Sequence, residues 1–86
     1  MPMSPGEALE AIRGLASANR IVVTLHAQER MRRRGVLYAD LRCALVSGVT
    51  CRPDDGKWKV TGPDTDGDDL TCVVTIDSGV IVVTVF

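Results

Sequence analysis

Residues 70–86 fall into two apolar-rich runs separated by a three-residue break, and this pattern commits the chain to a sheet. Leu70, Cys72, Val74 and Ile76 share one face of a strand, with Thr71, Val73 and Thr75 on the other. Asp77-Ser78-Gly79 is a tight hairpin turn, and Val80–Phe86 returns as the last strand. Lys57-Trp58-Lys59-Val60-Thr61 alternates in the same way, with Trp58 and Val60 opposite Lys57, Lys59 and Thr61. A sheet with one apolar face has to be covered, and the covering layer must come from upstream.

The upstream half supplies helices. Ser4-Pro5-Gly6-Glu7 is a helix start: Ser4 caps, Pro5 suits the first helical position and Glu7 completes a capping box. Ala8, Leu9, Ile12, Leu15 and Ala16 follow at helical spacing, which predicts an amphipathic helix over 5–18 with Asn19 as its stop. Arg20–Leu25 is short and β-branched, hence a strand. A helix of about nine residues then runs to Gly35 as its C-terminal glycine. Another follows from about Tyr38 to Ser47, with Leu41, Ala44 and Leu45 on one face. Val49–Arg52 reads either as a strand or as a lead-in, Pro53–Gly56 as a turn cluster, and Gly62–Asp69 as an acidic loop. The expected fold class is α+β, with helices packed on one face of a small twisted antiparallel sheet. Trp58 is expected beneath the helices. The open face would carry Lys57, Lys59, Thr61, Thr71, Thr75 and Thr84, as plain solvated surface or as a binding floor.

Eighty-six residues make one domain with a thin core, so burial against a partner is plausible. The net charge of −1 hides a segregation. Residues 20–42 hold six arginines against Glu29 and Asp40, whereas residues 54–69 hold six aspartates against two lysines. Such a dipolar domain can present a basic patch to an anion, although charge runs are also ordinary solvated faces. The acidic loop can equally shield the basic stripe within the molecule. Cysteines 43, 51 and 72 form no C-x-x-C, and Cys43 and Cys72 occupy apolar positions. Reduced thiols fit a cytoplasmic setting. No apolar run approaches the length of a membrane span, so no membrane partner is expected. Neither a metal nor another cofactor is expected: one histidine makes no usual zinc site. Counted from Asp64, a calcium loop would need glycine sixth and glutamate twelfth, where the chain has Asp69 and Thr75. No Ser-His-Asp set or phosphate-cradling glycine loop can be assembled.

Chemistry concentrates in His26-Ala27-Gln28-Glu29-Arg30-Met31-Arg32-Arg33-Arg34-Gly35, which holds the only histidine. His26 and Arg30 lie four apart and share a helical face, with Arg33 continuing at i+7. An RNase that attacks through the 2′-hydroxyl needs a base, an acid and a cation for the phosphorane charge. His26 suits acid or base, while Arg30, Arg33 and Lys59 suit a phosphate clamp. The structural alternative is that His26 caps its helix or hydrogen-bonds a nearby backbone group, and that Arg30 pairs with a sheet or loop carboxylate. Arg32-Arg33-Arg34 suits a nucleic-acid backbone, the negative end of the helix dipole, or an acidic protein segment. The chain has just three aromatic residues, Tyr38, Trp58 and Phe86, few for a single-strand binder that stacks bases.

Three segments carry a family resemblance: His26-Ala27 with Arg30-Met31, Arg33 or Arg34, and Gly35; then Lys57-Trp58-Lys59-Val60 with Gly62; then Val80–Phe86. Together they resemble the bacterial domain-of-unknown-function family numbered forty-two fifty-eight, over about residues 21–86. This divides a single domain, 1–86, into an N-terminal helical extension, 1–19, and a family core, 20–86. That family is similar to RelE/MqsR-type toxins, which cleave messenger RNA and are neutralised by an antitoxin. The resemblance implies a RelE-like fold, a metal-independent endoribonuclease acting on RNA alone or at the ribosome, and an antitoxin partner. On that reading His26, Arg30 and Lys59 are catalytic, and Arg33, Arg34 and Lys57 bind substrate. Phe86 stands where the family closes on tyrosine, so any role of that hydroxyl is absent. The alternative is a non-catalytic protein–protein interaction module. A homodimer through an exposed Val80–Phe86 strand is compatible with either.

Overall fold

A computed structural model describes residues 3–86. In chain order the elements are α1 (Pro5–Ser17), β1 (Ile21–Val23), α2 (Leu25–Arg34), α3 (Tyr38–Val46), β2 (Thr50–Asp54), β3 (Lys57–Pro63), β4 (Asp69–Ile76) and β5 (Val80–Val85). The strands form one five-stranded sheet in the order β1-β5-β4-β3-β2. The fold is α+β, as expected.

The sheet is mixed, which corrects the expectation of a purely antiparallel one. β2 to β5 form an antiparallel meander, but β1 pairs parallel with β5, Ile21 opposite Val80 and Val23 opposite Val82. Two helices and three strands lie between these partners, so sequence alternation carries no trace of the pairing. The same pairing narrows the expected homodimer edge to the part of the strand beyond Val82. β5 lies between β1 and β4, so Val80–Val82 has no free edge, and the sheet edges are β1 and β2. Val49–Arg52 resolves as well: β2 is a full edge strand that includes Pro53, a residue tolerated there because an edge strand needs fewer ladder donors. The turn shrinks to Asp55-Gly56, both at positive φ (52° and 78°), the backbone of a two-residue hairpin.

The helices cover one face. Ala8, Ile12 and Ala16 of α1, Ala27 and Met31 of α2, and Leu41 and Leu45 of α3 join Cys51, Val60, Cys72, Val74, Val80, Val82 and Val85 in one buried cluster. The N-terminal helix is therefore part of the core, with Ile12 fully buried. It starts at the expected capping box: the Glu7 amide donates to Ser4 Oγ at 3.2 Å, and the Ser4 amide to Glu7 Oε1 at 2.9 Å. Two arginines tie it to α3 and the turn that follows α3. Arg13 donates to the Gly48 carbonyl, and Arg42 donates to Asn19 Oδ1 at 2.6 Å and to the Ser17 carbonyl at 3.2 Å. Arg42 is thereby spent on structure.

Gly62 explains how closely α3 approaches the sheet. A Cβ at this position would lie 2.1 Å from the Ala44 carbonyl oxygen and 3.0 Å from Gly48 Cα. Only a residue without a side chain lets the end of α3 rest on β3.

Candidate functional site

α2 begins where β1 stops because Thr24 caps it. The Ala27 amide donates to Thr24 Oγ1 at 3.2 Å, and the same hydroxyl donates to the Val82 carbonyl at 2.9 Å. His26 is thus not the cap, and it stands exposed on the first turn. Gly35, at φ 69°, ends the helix in the left-handed conformation, after three arginines that favour the helix dipole. Ala27 and Met31 point into the core and fix the helix about its axis. At 3.6 residues per turn the remaining side chains divide between two flanks. His26, Arg30, Arg33 and Arg34 fall on one; Leu25, Gln28 and Arg32 share the other.

The first flank meets the C-terminal half of β5, beyond the reach of β1. Arg30 donates through Nε to the Val85 carbonyl at 3.4 Å. The expected carboxylate partner is replaced by a backbone carbonyl on the open part of the β5 edge. This bond uses Nε and leaves the terminal nitrogens of the guanidinium for other acceptors. Arg33 lies seven residues after His26 and stays on its side of the helix, as the spacing expects. It pairs with Glu29 one turn back, Nη2 to Oε1 2.9 Å, both side chains exposed. Arg34, four residues after Arg30, is also exposed.

The open face of the sheet is built in rows. Thr50, Thr61 and Thr71 form one, with the two inner hydroxyls 2.7 Å apart. Arg52, Lys59, Val73 and Thr84 form the next. Asp54, Lys57, Thr75 and Ile81 form the third. A register shift beside Val73 and Val74 leaves Val83 as the extra residue of a bulge, so Val82 and Val85 both face the core while Thr84 stays in the open-face row. All the residues expected on this face are there. Arg52 is the addition: with β2 undecided in sequence its facing was undetermined, and only the pairing with Lys59 places it.

Two of the candidate residues reach neighbouring residues at the end of β5. Lys59 Nζ lies 5.0 Å from the centroid of the Phe86 ring, which follows Val85, the residue that Arg30 holds. A helix cation and a sheet cation thus converge on the end of β5. His26 is one turn from Arg30 on the same flank; Lys57 is a row away from Lys59. Trp58 packs against the core under the helices and takes no part in the open face.

The acidic loop is held by the helix layer. Thr65 donates to Asp40 Oδ1 through its amide at 3.2 Å and its hydroxyl at 2.5 Å, while Asp40 Oδ2 accepts from the Leu37 amide at 3.1 Å. Hydrogen bonding to Thr65 first, and to the Leu37 amide next, holds the Asp40 carboxyl below its ordinary pKa. Asp64 Oδ1 accepts the amides of Asp66 and Asp68, 2.9 Å each, and so closes its own loop. No aspartate of this loop is ion-paired to α2 among the described residues; Glu29–Arg33 is the pair found there. No group of three metal-ligating side chains comes together among the described residues.

A three-helix layer on one face of an open, mixed five-stranded sheet, with cations gathered at one strand end, defines the class of domain. The chain belongs to the family described as Domain of unknown function (DUF4258), whose model matches residues 23–86. The match takes in every candidate site residue and leaves α1 outside, although α1 contributes Ala8, Ile12 and Ala16 to the core. No curated protein matches the chain. No helix among the described residues is long and apolar enough to cross a membrane.

Proposed function

We propose that this chain is a toxin-like, RNA-directed protein that holds RNA phosphates on the open sheet face and at the end of β5. The observation that supports this best is the convergence of Arg30, from α2, and Lys59, from β3, on Val85 and Phe86. Arg52 sits beside Lys59 in the same row and extends the cationic line across two strands. Phosphate groups along a single strand suit such a line, and threonine hydroxyls beside it add neutral donors.

Cleavage would proceed by attack of the 2′-hydroxyl on the adjacent phosphorus, with expulsion of the 5′-oxygen. The 2′-proton passes to a base, and the leaving oxygen gains a proton from an acid. His26, exposed on the Arg30 flank, is the imidazole available for either transfer, and Arg30 and Lys59 would hold the phosphorane charge. Arg34 and Lys57 suit contacts to flanking phosphates; Arg33 joins them only by leaving Glu29. A RelE-like relationship, an antitoxin partner and a ribosomal setting belong to this reading. The three free cysteines support a cytoplasmic setting. The alternative, an interaction module without catalysis, draws on the apolar surface left exposed at Leu25, Leu37 and Tyr38.

Induced expression in a bacterial host, with transcript 5′ ends mapped, tests the catalytic reading. Growth arrest with new 5′ ends, both abolished by His26→Ala in a folded protein, is the expected result. Intact transcripts in cells containing soluble wild-type protein would refute it.

A further inference from the structure

The second flank of α2 borders a groove that the phosphate-binding reading does not use. Val23 of β1, Gln28, Met31 and Arg32 of α2, and Val36, Leu37 and Tyr38 of the α2–α3 turn and α3 line a cavity of about 430 Å³. Leu37 is 68% exposed and Tyr38 46%, and Leu25, on the same α2 flank as Gln28 and Arg32, is 83% exposed. Large apolar side chains this exposed, grouped around one concavity, mark a surface that meets another molecule.

The surroundings describe that molecule. The charged residue in the lining is Arg32, with Arg33 and Arg34 following it on the helix. The acids of α2 and α3 are occupied: Glu29 by Arg33, and Asp40 by the Leu37 amide and Thr65. The rim therefore offers positive charge to carboxylates. The backbone narrows the choice further. β1 is an edge strand, and its parallel pairing turns the amide and carbonyl of Val22 toward β5, leaving those of Ile21 and Val23 outward. Gln28 Nε2 already donates to the Val23 carbonyl at 3.0 Å, which blunts strand addition at that point. Recognition then falls to side chains.

We infer that this groove docks an acidic amphipathic helix of a partner protein, its apolar stripe on Val23, Met31, Val36, Leu37 and Tyr38, and its carboxylates toward Arg32. The docking is independent of the RNA reading, since it uses the opposite flank of α2.

The probe is a synthetic helical peptide with leucines at i, i+3, i+4 and i+7 and glutamates at the other positions, compared with its lysine counterpart. Two-dimensional NMR of the full chain, including the Met31 methyl, reads the contact. Saturable shifts confined to Val23, Gln28–Arg32 and Val36–Tyr38 are expected from the acidic peptide, with at least tenfold weaker binding of the lysine peptide. Leu37→Ser should weaken binding at least tenfold. It leaves the fold intact, because Leu37 is exposed and serine is a good residue at that helix start. Arg32→Glu should reverse the preference for charge. No shifts, shifts elsewhere, or equal binding of both peptides would overturn the proposal. So would sedimentation showing a dimer that Leu37→Ser dissolves, since the occupant would then be a second copy of this chain.

Discussion

Arg30 donates to the carbonyl of Val85 from the helix that runs alongside the end of β5. The contact lies past the last β1 pairing, Val23 with Val82, and past the Thr24 hydroxyl, which serves the Val82 and Val83 carbonyls. Side chains from the α2 junction thus satisfy the edge that β1 is too short to cover. The Arg30–Val85 bond is long and partly solvated, so its loss costs little in folding. Arg30→Ala should destabilise the chain by about 1 kcal/mol in urea unfolding while weakening RNA binding severalfold. A large loss of stability with unchanged RNA affinity would make Arg30 a purely structural edge cap.

Gly62 and Gly14 should respond oppositely to alanine. At Gly62 the added Cβ meets the Ala44 carbonyl, a backbone atom that cannot step aside. Gly62→Ala should cost about 3 kcal/mol or prevent folding. Nothing lies within 4 Å of a Cβ at Gly14, inside α1. Gly14→Ala should stabilise the chain by about 0.5–1 kcal/mol. Thermal melts of both variants check the pair.

Asp40 should make the β3–β4 loop sensitive to acid. Its carboxyl titrates below the ordinary value in the folded chain, chiefly through the Thr65 hydrogen bond and then through the Leu37 amide. A lowered folded-state pKa means that the stabilisation is fully present above the unfolded value, and is lost as pH falls through the folded one. NMR titration should place Asp40 below a typical aspartate. Thr65→Ala should raise it toward that value, and amides 64–68 should exchange faster in acid than at neutral pH. An unshifted Asp40 in the wild-type chain would show that the loop is not tethered there.

The three thiols should label in a fixed order. Burial pushes Cys72 up to about 12 and raises Cys51 as well, whereas Cys43 is only partly buried. At about pH 8 a thiol reagent should modify Cys43 first, Cys51 slowly, and Cys72 only when the domain opens. Fast labelling of Cys72 in folded protein would contradict the packing of β4 under the helices.

Much of this fold could be read in advance, for local reasons. Ser4 and Glu7 mark the start of α1, Gly35 marks the end of α2, and Lys57–Thr61 and Leu70–Ile76 alternate because one face is covered. The pairing of β1 with β5 could not, since it is set by where two helices return the chain. Neither could the facing of Arg52, which depends on Lys59 across the sheet. The candidate site divided the same way. Helical spacing put His26, Arg30 and Arg33 on one side of α2, where Arg33 also pairs with Glu29 because an adjacent turn offers an opposite charge. Lys59 and Arg30 were readable as cations, and only the fold brings Lys59 to Phe86 and Arg30 to the neighbouring Val85.

RNA affinity across a salt series tests the central claim most directly. A labelled single-stranded RNA of about twelve nucleotides would be titrated with wild-type chain and with Lys59→Ala, Arg52→Ala and the double variant, by fluorescence anisotropy. The account predicts wild-type binding that weakens with salt. Each substitution should reduce the log–log slope by about 0.7, and the double variant should lose more than tenfold in affinity. No binding by the wild type at low salt, or equal affinity and slope in the folded double variant, would contradict it.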